Sequence, residues 1–144
     1  MFNKIAVAYN ESAEARRALE TAIHLAKTLG TELRAITFKD DRPAYAAYAT
    51  AADSSLAHTL EEDQREHYDR LHAEARDIAS QGGVKLVTHL LEGSECAAIV
   101  SFLHDHKTDL LVIGLHRRTS HISRLWSTVY EVAQDAPCSV LGVH

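Results

Sequence analysis

Gly114, Arg117, Ser127 and Thr128 have types and spacing that suit the capture of a phosphate or another anion. They lie in the stretch GLHRRTSHISRLWST, residues 114–128, directly after an apolar run. A glycine at the head of such a loop lets backbone N–H groups approach phosphate oxygens and tolerates φ > 0. Ser127-Thr128 is placed to open a helix, where the partial positive charge of the helix end favours an anion. Arg117, Arg118 and Arg124 between them are side chains that donate charge-assisted hydrogen bonds to phosphate, each worth about 1.5–3 kcal/mol when well formed. The stretch lacks further glycines. A side chain in a phosphate's place blocks approach, whereas a non-glycine residue in a left-handed conformation costs only about 1–2 kcal/mol. Two readings stay open: an anion site built from side chains, or solvated arginines ahead of an ordinary helix.

The other reactive side chains are read as structural. Ten histidines invite a metal, but His104-x-His106 and His116…His121 lack the ligand sets of zinc sites. Tyr45 and Tyr48 could cover a ligand's base or pack on a helix, and Trp126 sits on a helical stripe as core. The acidic run EEDQREHYDR (61–70) reads as a solvated helix face. No nucleophile–base pair, catalytic carboxylate pair or Gly-Lys-Ser motif is present, so the chain is expected not to be an enzyme.

Elements that position these residues follow from periodicity. KIAVAY (4–9), ELRAITF (32–38), VKLVTHLL (84–91), DLLVIG (109–114) and CSVLGV (138–143) read as buried strands. Between the first two, Ser12 is an N-cap, Gly30 a C-terminal stop, and Ala15, Leu19, Ala22, Ile23, Ala26 and Leu29 one apolar face. Residues 39–54 read as a loop of functional length. A long helix from Ser54 or Ser55 to Ser80 should bury Leu56, Leu60, His67, Leu71, Ala75 and Ile78. Ser94 is expected to cap the next helix, which turns Cys96, Ile99, Val100 and Leu103 inward. The last, stopped by Pro137, should bury Leu125, Trp126, Val129, Val132 and Ala133. Strands alternating with helices imply right-handed crossovers and a parallel sheet. Ligands then bind at the carboxyl ends of the strands where strand order reverses, which selects Asn10-Glu11, Phe38 to Ser54 and Gly114 to Arg124. Val7, Ile36, Val87, Val112 and Val140 are expected in a single core.

Composition bounds the rest. The 144 residues suffice for one domain, 1–144, with a sizeable core. A formal net charge of −5 gives no global attraction for nucleic acid or anionic lipid. No stretch approaches the roughly 18 apolar residues of a membrane span, and the N-terminal apolar run is short for a signal peptide. Cys96 and Cys138 have no metal-ligand spacing and fit a reducing compartment as small core residues. The expected location is cytoplasmic.

Taken in order, KIAVAYNESAEARRALETAIHLAKTLGTELRAITF, LEGSECAAIVSFLHDHKTDLLVIG and APCSVLGV resemble the opening, middle and closing segments of the universal stress protein family, nearly end to end. The resemblance implies an adenine-nucleotide alpha-hydrolase-like fold, a doubly wound five-stranded parallel sheet in order 3-2-1-4-5 with four helices. It also implies stress-related regulation and a homodimer through the last strand. Nucleotide-binding members carry G-x2-G-9x-G-[ST] after strand four and usually Asp-Gly-Ser after strand one. Gly114 matches the first glycine, Arg117 and Ser127 replace the other two, and Thr128 keeps the hydroxyl. Asn10-Glu11-Ser12 occupies the Asp-Gly-Ser positions, and His116 stands where the family often has histidine.

The expected nucleotide or anion site is Ala8, Asn10, Phe38, Gly114, His116, Arg117, Ser127, Thr128 and Val129. ATP or another adenine nucleotide is the implied ligand, with an unnamed protein partner. The alternative is a nucleotide-dependent switch or slow ATPase. A receiver domain shares the strand alternation, but Asn10-Glu11 and Leu91-Glu92 do not supply its acidic cluster and aspartate.

Overall fold

A computed structural model describes residues 1–39, 51–116 and 125–144, the side chains of 125–128 excepted. The elements run β1 (Lys4–Ala8), α1 (Ala13–Leu29), β2 (Glu32–Phe38), α2 (Ser54–Gln81), β3 (Leu86–Leu91), α3 (Glu95–Asp105), β4 (Leu110–Gly114), α4 (Leu125–Asp135) and β5 (Ser139–Val143). All strand pairs are parallel and the sheet order is β3-β2-β1-β4-β5. Strand order reverses between β1 and β4, where Ile5, Ala6 and Val7 pair with Leu110, Leu111 and Val112.

Helices cover both faces, which is why the central strands read as unbroken apolar runs. Ile5, Val7, Leu33, Ala35, Leu110 and Val112 point to one face, against Ala18, Leu19, Ala22 and Ala26 of α1 and Leu71, Ala75 and Ala79 of α2. Ala6, Ile36 and Leu111 point to the other, against Ile99, Phe102 and Leu103 of α3 and Val132 of α4. The expected single core is therefore two. Val7 and Val112 lie in the first, Ile36 and the half-buried Val140 in the second, and Val87 is only half-buried. Successive strand residues alternate sides, so an apolar run divides between two layers.

Helix faces also depart from expectation at their ends. Leu29 is exposed in the last turn of α1, beyond the sheet's cover, while Ala18 is buried. On α2 the buried stripe is Tyr68, Leu71, His72, Ala75 and Ala79. Leu56 is exposed, Leu60 and Ile78 are half-buried, and His67 faces solvent. The helix has 28 residues, roughly 42 Å at 1.5 Å per residue, and strands of five to seven residues cannot cover that length. In α3 Phe102 joins Ile99 and Leu103 in the core while Cys96 and Val100 are half-buried. In α4 Val132 is buried, Val129 half-buried and Ala133 exposed.

Three helix-to-strand turns close in one way. Gly30, Gly83 and Lys107 have φ of 65°, 75° and 51°. The following N–H of Thr31, Val84 and Thr108 then reaches back to the carbonyl of Ala26, Ala79 and Leu103 at 3.0, 2.9 and 2.9 Å. This left-handed termination satisfies the last carbonyls of each helix. Nearby, the Asp109 carboxylate accepts N–H groups from Asn3 at 2.8 Å and Lys4 at 3.0 Å, tying the chain start to β4.

Candidate functional site

In open parallel sheets the ligand crevice lies where strand order reverses, which here is at the carboxyl ends of β1 and β4. Its floor starts with Tyr9, whose N–H donates to Ile36 at 2.9 Å and prolongs β1 by one residue. The Tyr9 carbonyl accepts the Thr37 hydroxyl at 2.8 Å, and Thr37 Oγ1 in turn meets His72 Nε2 at 3.0 Å. Since the hydroxyl proton goes to Tyr9, the Nε2–H of His72 donates to Thr37. Burial, followed by the Arg76 charge, holds His72 below the usual histidine pKa, against Asp69. Burial also raises the Tyr9 phenol, with Glu74 adding to it.

Above this floor the chain turns into α1. Asn10 Oδ1 accepts the Ser12 N–H at 2.8 Å, and Ser12 Oγ accepts the Ala15 N–H at 3.2 Å as N-cap. The side-chain acceptor of Asn10 is thus engaged in its own turn. Glu14, in the first turn of α1, faces Nδ1 of His116 at 3.3 Å and Arg17 at 4.0 Å. Its own backbone N–H, then the His116 charge and the Ser12 hydroxyl, hold its carboxyl below the usual range, against desolvation. Glu11, one turn earlier, meets Nε2 of His67 on α2 at 3.1 Å.

Gly114 has a packing reason to be glycine. A Cβ there would fall 2.5 Å from the backbone carbon and oxygen of Glu14 and 2.9 Å from the Ala15 nitrogen. The start of α1 therefore occupies the space that its missing side chain leaves open. Leu115 N–H then bonds the Val143 carbonyl at 2.7 Å, holding this exit from β4 to β5.

Of the expected site residues, the fold brings Ala8, Asn10, Phe38, Gly114 and His116 to the carboxyl edge of the sheet. Val129 is half-buried in α4. Ser127 and Thr128 lie in the first turn of α4, their side chains outside the described residues. Arg117, Arg118, Arg124, His121, Tyr45 and Tyr48 also lie outside them, as do the side chains of Leu125 and Trp126. Tyr9, Thr37, His72, Glu14 and His67 were not expected at the site, whereas Glu11 lies in the loop after β1 that strand order selects. Only the N-terminal position of Glu14 on its helix carried a local signal.

A depression of about 430 Å³ opens at the opposite, amino end of the sheet, lined by Lys27, Thr31, Arg34 and Lys85 among others. The C-terminal ends of α1 and α2 border it, and their partial negative charge opposes an anion. Arg34 is moreover paired with Glu32. Strand order, and not cavity size, therefore selects the crevice. Among the described residues no cluster of three or more His, Cys, Asp or Glu could hold a metal ion. Both cysteines are half-buried against the second core, and burial raises both thiols.

Comparison with known proteins adds to this geometry. A model of the universal stress protein family matches residues 1–144. A universal stress protein of Methanocaldococcus jannaschii is 30% identical over 144 residues, 99% of this chain and 82% of that protein. Among solved structures, the universal stress protein UspA from Lactobacillus plantarum superposes with a TM-score of 0.79 at 23% identity, covering 99% of this chain and 98% of that one. A universal stress protein in complex with cAMP superposes at 0.71 with 21% identity, covering 99% and 97%.

Proposed function

The chain belongs to the universal stress protein family, and from that premise we propose that it is a cytoplasmic stress-response binding module. It is a single domain, 1–144, that dimerises and holds adenine nucleotide weakly. The observation that carries the weak-binding reading is the loop after β4, where Arg117 and Ser127 stand at positions that are glycine in nucleotide binders. Asn10 Oδ1 already accepts the Ser12 N–H in its own turn. An adenine nucleotide remains the ligand class, supported by a solved family member in complex with cAMP. Asn10, Phe38, Ala8 and Val129 are the proposed base and sugar contacts, and His116, Arg117, Ser127 and Thr128 the phosphate contacts.

Mass analysis of nucleotide released from denatured protein tests this. The expected result is no stoichiometric nucleotide, and a shallow ATP titration that Arg117→Ala weakens further. Stoichiometric ATP would favour the second reading, a nucleotide-dependent switch or slow ATPase. That reading draws on α4 starting near Leu125, which puts Ser127-Thr128 at a helix end.

The dimer reading rests on β5. It is an edge strand paired only with β4, with Leu141 exposed and Tyr130 exposed on the neighbouring helix. Antiparallel pairing of Ser139–Val143 with a second copy, the 138–143 segment in all, would satisfy the open edge and cover these side chains. Val140→Pro removes a ladder donor and should yield monomer by sedimentation, whereas a monomeric wild type at micromolar concentration would overturn the dimer. Among the described residues no helix is long and apolar enough to cross a membrane.

A further inference from the structure

The sheet has a second open edge, at β3, which pairs only with β2. The Leu91 carbonyl accepts the Lys39 N–H at 2.8 Å and so points to β2. Backbone groups alternate sides along a strand, so the N–H and C=O of Thr88 and Leu90 point outward. No strand among the described residues meets them there. Leu90 is 40% exposed at this edge. Cations line it. Lys85 stands exposed just before β3, and Arg76 of α2 donates to the Thr88 hydroxyl at 2.8 Å. On the other face, Arg34 donates to Nε2 of His89 at 3.0 Å. Two carboxylates lie nearby, and each is already matched: Glu32 by Arg34 and Glu92 by Lys39. No ion pair among the described residues takes up Lys85 or Arg76. This basic strip belongs to a chain whose net charge is −5.

We propose that the β3 edge is a docking strand for an acidic, extended segment of a partner protein, which adds to the sheet beside Thr88 and Leu90 with its carboxylates on Lys85 and Arg76. Backbone bonds to the open edge supply the affinity, and the cations select the partner. The two cations stand on opposite faces of the edge: Arg76 comes from α2, while Lys85 borders the depression with Arg34 and Val87. Adjacent residues of an added strand point to opposite faces, so neighbouring acidic residues reach both. The helix ends beside the depression disfavour a free anion inside it, which leaves the carboxylates at its rim. A second copy is the wrong occupant. Antiparallel pairing about Thr88 would set Arg76 against its own twin, like charge against like. The edge thus repels itself while it attracts an acidic strand.

The test adds a capped peptide of valine and threonine with two neighbouring glutamates to the full chain at low ionic strength. The same peptide with lysines for glutamates is the control. Amide exchange and NMR shifts are followed along β3. The glutamate peptide should slow exchange at Thr88 and Leu90, and the lysine peptide should not. Exposed charge pairs contribute about two- to fivefold each, so Lys85→Glu/Arg76→Glu should weaken the glutamate peptide roughly tenfold and admit the lysine peptide instead. Thr88→Pro removes an outward donor, a change that an edge strand tolerates, and should abolish the slowed exchange at Leu90. Unchanged exchange with the glutamate peptide overturns the proposal. So does an equal response to both peptides, or a response that survives Thr88→Pro and the charge reversal. Slowed exchange that grows with protein concentration and needs no peptide would make the occupant a second copy, and overturns it as well.

Discussion

The two ends of the sheet are closed by different chemistry. At the amino end, three helices hand over to strands through the same left-handed turn, and the bonds that seal them are backbone to backbone. At the carboxyl end, β1 hands over to α1 through side chains: the Asn10 amide, the Ser12 hydroxyl and two histidine–carboxylate pairs. Those turn closures carry no charge, and the charged tie beside them is the Asp109 carboxylate on the Asn3 and Lys4 N–H groups. Side-chain closures can be opened by a proton, a ligand or a single substitution. The first end holds the fold, and the second is where a ligand can act on it.

The sharpest way to break this contrast is Gly114→Ala. Its Cβ would collide with backbone, not with a flexible side chain, so the start of α1 or the end of β4 must shift. Overpacking of this kind costs about 2–3 kcal/mol, read as a lower midpoint in urea. An unchanged midpoint would show that α1 yields freely and that the carboxyl end is looser than its contacts indicate.

Asp109→Ala should come next. It removes the acceptor for two backbone N–H groups at the chain start, a loss of about 1–2 kcal/mol for partly exposed charge-assisted bonds. Hydrogen exchange at Asn3 and Lys4 should rise while the β1–α1 turn keeps its protection. If protection falls equally at both ends, the two closures are not independent.

Lys107→Gly works in the opposite direction. Lys107 is the one non-glycine residue with positive φ among the described residues. Relieving the left-handed penalty, less the added freedom of the unfolded chain, should stabilise by roughly 0.5–1 kcal/mol. A destabilised variant would show that the lysine side chain, and not the turn, holds that corner.

His72→Gln should have the smallest effect at neutral pH, because an amide N–H can still donate to Thr37. Its signature is pH dependence. The folded-state pKa of His72 is depressed, chiefly by burial. Its contribution is therefore complete above the ordinary value of 6.5, and is lost as pH falls below 6.5 toward the depressed value, because only the unfolded chain readily takes the proton. The glutamine variant should lose less stability between pH 7 and 5 than wild type. The slope that remains is expected from His89, which burial depresses likewise. Identical slopes would mean that His72 takes its proton in the folded chain as readily as in the unfolded one, so that burial does not depress it.

Local sequence signals were legible at α1 and in the strands, whereas Ser94, a cap by type, makes no side-chain cap bond to α3. Ser12 and Gly30 cap α1 as their types imply, and the apolar runs became strands at nearly the expected bounds. Periodicity, capping chemistry and a glycine's tolerance of positive φ belong to single residues and their neighbours, so the chain alone determined the βα alternation and, through family resemblance, the strand order. Tertiary structure decided which half of each apolar run met which layer of helices, and where the long α2 ran out of sheet, turning Tyr68 and His72 inward and leaving Leu56 outside. It also decided the meaning of Gly114. Its place in a loop motif suggested a role toward phosphate, and the fold adds a packing role, because the space a Cβ would fill is taken by the backbone of a helix that begins a hundred residues earlier. Contacts such as Glu11–His67, Glu14–His116 and Thr37–His72 link distant positions in the chain. No periodicity encodes them, because they exist only once the crossovers have brought those elements side by side.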